Sequence, residues 1–249
     1  QTLKTDGGAP SADGIALSGA DYKNGNDYWV KPNKTVTLKI GQKDTRSGNQ
    51  RQYLKIDGGK QVRAWHNFHG GSTHIGKLSS FDQKNSDIEI NSLSRTTSGN
   101  TGYVSWKIKP KKDLTTFKPT YHFRDNVYNV RGYDTSHGGD TGVRIRTDGK
   151  KPTVSASKTS QGWTSGNINV SLDYSDQGSG IKPKQYAWST STSKPSSWNN
   201  YSSSLTLSSQ GTRYLHYRAI DNVGNETTGY FGPYRIDKNA PSVSFSPNG

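Results

Sequence analysis

Thr147-Asp148-Gly149-Lys150-Lys151-Pro152 is the stretch that decides how this chain is read. The same pattern, a Thr or Ile, then Asp, three further residues and Pro, stands at Thr5-Asp6-Gly7-Gly8-Ala9-Pro10 and at Ile236-Asp237-Lys238-Asn239-Ala240-Pro241. A phrase that recurs marks a module that recurs. The chain therefore divides into an enlarged first module (1–146), a second module (147–236) and the opening of a third (237–249). The second has the length of a small β-sandwich domain.

Outward from that phrase, the modules align at further landmarks. Trp29 corresponds to Trp163; seven residues later Val36 corresponds to Val170, and Leu38 then corresponds to Leu172. Asp-x-x-Ser-Gly follows at Asp44 to Gly48 and at Asp176 to Gly180. Asp-Asn-Val-x-Asn closes the series at Asp125 to Asn129 and at Asp221 to Asn225. The spacings differ because module one carries an insertion of about 57–113.

Strand signals run throughout. Thr35-Val36-Thr37-Leu38-Lys39-Ile40 and Asn167-Ile168-Asn169-Val170-Ser171-Leu172 alternate polar and apolar residues, the period of a strand with one wet face. Tyr103 to Ile108, Ser204 to Leu207 and Tyr214 to Ile220 read the same way. Gly, Asn, Ser and Pro punctuate them as turns require. No sustained helical period occurs. Only 28% of residues are hydrophobic, yet 6 Trp, 14 Tyr and 6 Phe argue for thin aromatic cores over disorder. The expected fold is all-β: two tandem immunoglobulin-like β-sandwiches, the first enlarged by its insertion.

Residues 147–241 resemble the bacterial immunoglobulin-like repeats of Gram-positive surface proteins. The residues that carry the likeness are Asp176-Gln177-Gly178-Ser179-Gly180-Ile181, Gln185 to Ser189, Gly211 to Tyr214, Tyr217 to Asn225 and Tyr234 to Asp237. Module one is similar only at its ends, and Tyr128 stands where module two has Gly224. The resemblance implies stalks, spacers or adhesive units of cell-wall-anchored or secreted proteins, hence an extracellular, cell-surface location. The absence of cysteine and of any membrane-length apolar run accords with that expectation. With no Met and no leader at Gln1, the sequence reads as a segment of a longer precursor.

Net charge is +14: residues 5–146 hold 22 Lys and Arg against 13 Asp and Glu, and residues 147–235 hold 9 against 5. Such a surface attracts polyanions. Expected partners are acidic polysaccharide, teichoic acid, or a receptor on a host or neighbouring cell. No specific nucleic-acid motif accompanies the charge. The chain is expected to be a monomer.

Four constellations carry candidate chemistry. In the Asp loops, Asp44, Asp125 and Asn129 of module one and Asp176, Asp221 and Asn225 of module two offer the oxygen donors calcium takes; the same residue types equally cap turns through their own backbone. Calcium is the only cofactor the loops suggest. His66, His69 and His74, with Asp82 downstream, have a spacing zinc accepts, or they are polar loop residues. Arg63, Trp65 and Phe68 set aromatic rings beside a cation, as a sugar-binding surface does, or the rings fill the core. Lys107, Lys109, Lys111 and Lys112 form the densest basic run, which serves either as a polyanion contact or as protection of a strand edge.

Catalysis is not expected. No Gly-x-Ser-x-Gly elbow is present. His122 and His216 recur in matching strand contexts, as scaffold residues do. Asp82, Asp87 and Glu89 show no sign of a paired-carboxylate cleft. The expected function is a non-catalytic surface-protein segment with an adhesive or stalk role. The alternative is an accessory wall- or carbohydrate-binding region of a secreted cell-wall hydrolase.

Overall fold

The computed structural model describes residues 5–58, 60–68, 84–132 and 139–245, and every regular element among them is a β-strand. The chain divides into two compact units, Gln1–Lys150 and Lys151–Gly249.

Unit 1 contains β1 (Ser11–Ser18), β2 (Tyr22–Asn24), β3 (Asp27–Val30), β4 (Val36–Lys43), β5 (Asn49–Asp57) and β6 (Val62–Asn67). It continues with β7 (Ile88–Ser98), β8 (Thr101–Pro110), β9 (Thr116–Asp125), β10 (Val130–Gly132), β11 (Gly139–Asp140) and β12 (Arg144–Thr147). One sheet has the order β1-β4-β8-β7 and the other β2-β3-β12-β9-β5-β6, with β10 and β11 pairing onto β9. All pairings are antiparallel except β3 with β12. The order is that of an immunoglobulin sandwich: the first sheet corresponds to its A-B-E-D strands, and the second sets its C′, C, F and G strands beside a split-off part of A.

Alternation decides which face is buried. Val36, Leu38 and Ile40 on β4, Val104, Trp106 and Ile108 on β8, and Ile88 and Ile90 on β7 point inward from the first sheet. Leu54 and Ile56 on β5, Val62 and Ala64 on β6, Phe117 and Phe123 on β9 and Ile145 on β12 meet them from the second. The Trp106 indole would bury an unmet N–H, but its Nε1 donates to Gln52 Oε1 at 2.9 Å, and Gln52 Nε2 donates to Ile40 O at 3.3 Å. Gln52 itself is fully buried, so one polar side chain stitches both sheets at the centre of the core. At one edge, a bulge in β1 carries the Asp13 carbonyl across Gly41. A Cβ at that position would lie 1.8 Å from the oxygen, which accounts for the glycine.

The segment 57–113 enlarges unit 1 from within. It supplies β6, β7 and β8, and β8 lies in the middle of its sheet with Trp106 and Ile108 at 0% exposure. The enlargement is therefore part of the packed sandwich. It is not a loop projecting from one already complete.

Unit 2 contains β13 (Thr153–Ala156), β14 (Gln161–Thr164), β15 (Ile168–Val170), β16 (Leu172–Ser175), β17 (Ile181–Ser189), β18 (Asn199–Asn200), β19 (Leu205–Leu207), β20 (Gly211–Asp221) and β21 (Glu226–Ile236). The larger sheet runs β14-β21-β20-β17-β18, with β14 parallel to β21 as β3 is to β12. The Asn167–Leu172 alternation forms two strands: β15 pairs with β19, and β16 pairs with β13. The break falls at Ser171, whose N–H donates to Ser157 Oγ at 2.9 Å. The buried core is mainly aliphatic, with Tyr174 and Tyr234 inside it and further aromatic rings packed around it. Trp188 meets Tyr234 edge-on at 5.4 Å, and the buried Tyr174 and Tyr234 hydroxyls donate to Gln185 O and Lys158 O. Burial raises both phenols, Tyr234 to about 12.

Candidate functional site

The acidic loops of the two units share one construction. In unit 1, Asp125 Oδ1 accepts from Val127 N (3.0 Å) and Asn129 N (2.7 Å), and Oδ2 accepts from Asn129 Nδ2 (2.8 Å). In unit 2, Asp221 accepts from Val223 N (3.0 Å), Asn225 N (2.7 Å) and Asn225 Nδ2 (2.7 Å). The neighbouring Asn clips the Asp-x-x-Ser-Gly loop: Asn126 Nδ2 donates to Ser47 O and Asn222 Nδ2 to Ser179 O, both at 2.6 Å. Asn129 and Asn225 thus serve as donors to their aspartates. Asp44 accepts from Arg46 N at 2.7 Å, and Asp176 accepts from Gly178 N and Gly180 N.

Carboxylate oxygens of Asp6, Asp44 and Asp125 lie within 4.8 Å of one another, with Asp44 and Asp125 buried. Those of Asp176 and Asp221 are equally close. Asp6, the aspartate of the recurring linker phrase, was not among the residues expected from sequence to join a metal site. Its carboxyl accepts from Gly8 N and Ser47 N, and the Gly8 bond leads in holding it below the usual carboxylate range. An ordered N–H donor set of this kind is also what a structural turn needs.

The expected aromatic-basic residues separate into different environments. Arg63 and Trp65 point outward from β6, because Val62, Ala64 and His66 alternate with them into the core. Phe68 packs against the core, with its ring edge-on to His66 at 5.1 Å. Together with Arg95, Asp44 and Asn49 it lines a shallow cavity of about 220 Å³. His66 is buried and its pKa is lowered to about 4, by desolvation first and then by Arg95. His69, His74 and Asp82 lie outside the described residues. His122 packs edge-on to Tyr53 at 5.0 Å, and His216 is buried with Nε2 2.8 Å from Ser191 O.

The lysine run lies on the other sheet. Lys107 and Lys109 point outward from β8, opposite in direction to Trp106 and Ile108. Lys111 pairs with Glu89 at 2.6 Å, and Lys112 lies 3.8 Å from Asp87. Asp87 is held low chiefly by Lys60 N–H, and Glu89 chiefly by Lys111. Both shifts run opposite to what a general acid requires. The run is thus a pair of outward cations followed by a pair engaged with acids.

The outer face of β2-β3-β12-β9-β5-β6 gathers residues that no motif announced. Arg51, Tyr53, Lys55 and Asp57 of β5 alternate outward, as do Lys118, His122 and Arg124 of β9 and Arg144 and Arg146 of β12. Arg144 and Arg146 both engage Asp27, at 2.5 and 3.0 Å, and Lys55 engages Asp57 at 3.0 Å. Arg51 is fixed by neutral groups. Its Nε donates to Asn67 Oδ1 (2.6 Å), its Nη1 donates to Tyr53 Oη (2.8 Å), and its guanidinium lies 4.4 Å from the Trp65 ring centre. Arg124 donates to Gln50 Oε1 at 2.5 Å and lies 4.6 Å from the Tyr128 ring. The alternation Arg51-Tyr53-Lys55 beside Arg63-Trp65 was the available sequence signal. It was obscured because the strand pairing between them is not written in either segment.

Fold and loops together define an all-β chain of tandem immunoglobulin-like sandwiches with stapled acidic loops and a basic, aromatic-lined face on the first. No protein-family model matches the chain, and no curated protein matches it. Among solved structures it is similar to the fibronectin(III)-like modules of CbhA from Clostridium thermocellum, with 10% identity over 88% of this chain and 94% of that one and a TM-score of 0.32. The fold assignment rests on the strand orders and registers given above. Among the described residues no helix is long and apolar enough to cross a membrane.

Proposed function

We propose that this chain is a non-catalytic ectodomain segment of a bacterial cell-surface protein, with an adhesive or stalk role. Unit 1 contacts an acidic glycan or wall polymer, and unit 2 serves as a spacer. The observation that supports the reading is the outer face of unit 1's larger sheet. Arg51, Lys55, Arg63, Lys118, Arg124, Arg144 and Arg146 share it with the acids Asp27 and Asp57 and with Asp140 of the adjoining β11. A basic face on a rigid sheet draws a polyanion from solution, and weak contacts repeated along a polymer add up through linkage. The immobilised chain is expected to retain teichoic acid or an acidic polysaccharide at low salt and to pass a neutral glycan. Passage of both acidic polymers would refute the reading. An accessory polymer-binding region of a wall hydrolase would use the same face, and the domain order of the full precursor separates the two.

A second reading concerns calcium. Three carboxylates with oxygens within 4.8 Å of one another bring like charges together. Calcium between Asp6, Asp44 and Asp125 would relieve that repulsion with oxygen ligands of the kind it takes. Asp44, Asp125 and Asp6 would hold the ion, with Asn129 orienting Asp125. Added calcium is then expected to raise the melting temperature and chelator to reverse the rise; equal melts in both conditions reject it.

A further inference from the structure

We infer that Arg51, Arg124 and Tyr128 form a binding site for one carboxylate-bearing sugar of an acidic polysaccharide. The inference rests on the reading that unit 1 contacts an acidic polymer, and it names the site and the chemistry.

The first observation is a pairing. Arg51 of β5 stands directly opposite Arg124 of β9. Like charges facing each other across an antiparallel pair destabilise it. Neither guanidinium forms an ion pair among the described residues, although Arg144, Arg146 and Lys55 on the same face each have one. Arg51 is held by Asn67, Tyr53 and the Trp65 ring, and Arg124 by Gln50 and the Tyr128 ring. Among the described residues, both charges are oriented by neutral partners. Directly opposed residues have their Cα atoms about 4.5–5.5 Å apart, so the two side chains leave one face of the sheet as neighbours. A guanidinium fork matches a planar carboxylate with two parallel hydrogen bonds.

The second observation is independent. Tyr128 has φ +72, in the left-handed region that favours glycine, and the matching loop of unit 2 places Gly224 there at φ +84. The hydrogen bonds around the two positions are the same: Tyr128 N donates to Asp125 O, and Gly224 N to Asp221 O. The loop therefore closes without a side chain at this position. Tyr128 buries little, being 65% exposed, so packing does not explain its retention. Strain kept without a packing return points to use. The ring lies beside the Arg124 guanidinium, where it offers an apolar surface to the flat face of a sugar whose carboxylate the arginines take.

Ring and charges together select a polymer that carries both pyranose rings and carboxylates. A phosphate polymer without rings uses only the charges. The test is calorimetric titration of the full chain with an oligogalacturonate, with polyglycerol phosphate and with a neutral cello-oligosaccharide. Arg51→Ala, Arg124→Ala and Tyr128→Gly are each expected to weaken oligogalacturonate binding by about tenfold or more. Lys39→Ala, on the opposite sheet, should bind as the unaltered chain does. Tyr128→Gly removes the strain, so its melting temperature should not fall, which separates lost binding from lost folding. If oligogalacturonate binds and the three variants bind it equally well, this site is wrong while the acidic-polymer reading stands. If neither acidic polymer binds, that reading fails and the site with it. If polyglycerol phosphate binds as tightly and Tyr128→Gly changes nothing, the sugar-ring component is refuted.

Discussion

Tyr128 and Gly224 occupy the same turn in two copies of one loop, so exchanging the residue types isolates a backbone term. A non-glycine residue in the left-handed region costs about 1–2 kcal/mol, and glycine returns about 0.4–1 kcal/mol of that through unfolded-chain entropy. Gly224→Tyr should therefore destabilise unit 2 by about 1 kcal/mol in denaturant titration, and Tyr128→Gly should leave unit 1 unchanged or slightly stabilised. His66 supplies a second residue-scale prediction. Its pKa lies near 4 in the folded chain, below the usual 6.5, so protons favour the unfolded state. The stabilisation from its neutral form is complete above about pH 6.5. It is lost as pH falls toward 4, at a limiting slope of about 1.4 kcal/mol per pH unit. Chemical denaturation at several pH values should show this slope, and His66→Leu should flatten it. An unchanged pH dependence in that variant would assign the slope to other groups.

Among the elements, β8 shows best how patterning becomes packing. Tyr103 to Ile108 reads as a strand, and the strand extends over Thr101–Pro110 because β4 and β7 pair with it on both sides. Alternation sends Trp106 and Ile108 inward and Lys107 and Lys109 outward, so the densest basic run follows from strand geometry. Trp106→Phe keeps most of the ring but leaves Gln52 Oε1 without its donor. An unsatisfied buried acceptor costs about 1–3 kcal/mol. Gln52→Leu in the Trp106→Phe background should recover part of the loss, and double-mutant thermodynamics would expose an additive outcome as evidence against the coupling. The β15–β16 pair teaches the opposite lesson. Its alternation is unbroken in sequence, yet the chain changes partner at Ser171 because β13 and β19 each claim half of it.

For the whole molecule, the +14 net charge makes polyanion binding an ionic-strength experiment. The screening length falls from about 10 Å at 0.1 M salt to about 3 Å at 1 M. Affinity for oligogalacturonate should drop steeply across that range; a salt-independent affinity would remove the role assigned to the basic face. The repeated phrases, the alternation and the turn residues made the sandwich class and the matched Asp loops legible, because those signals are local. Asp44, Asp125, Asp176 and Asp221 were named from spacing alone, and each sits in a loop whose hydrogen bonds recur in the other unit. Strand pairing alone revealed that Arg51 faces Arg124, that Phe68 leaves the surface shared by Arg63 and Trp65, and that Asp6 reaches Asp44 and Asp125. Arg51 and Arg124, and Asp6 and its two partners, lie tens of positions apart. Their meeting depends on register and on which sheet each strand joins, and free energy settles those only when both layers close over one core.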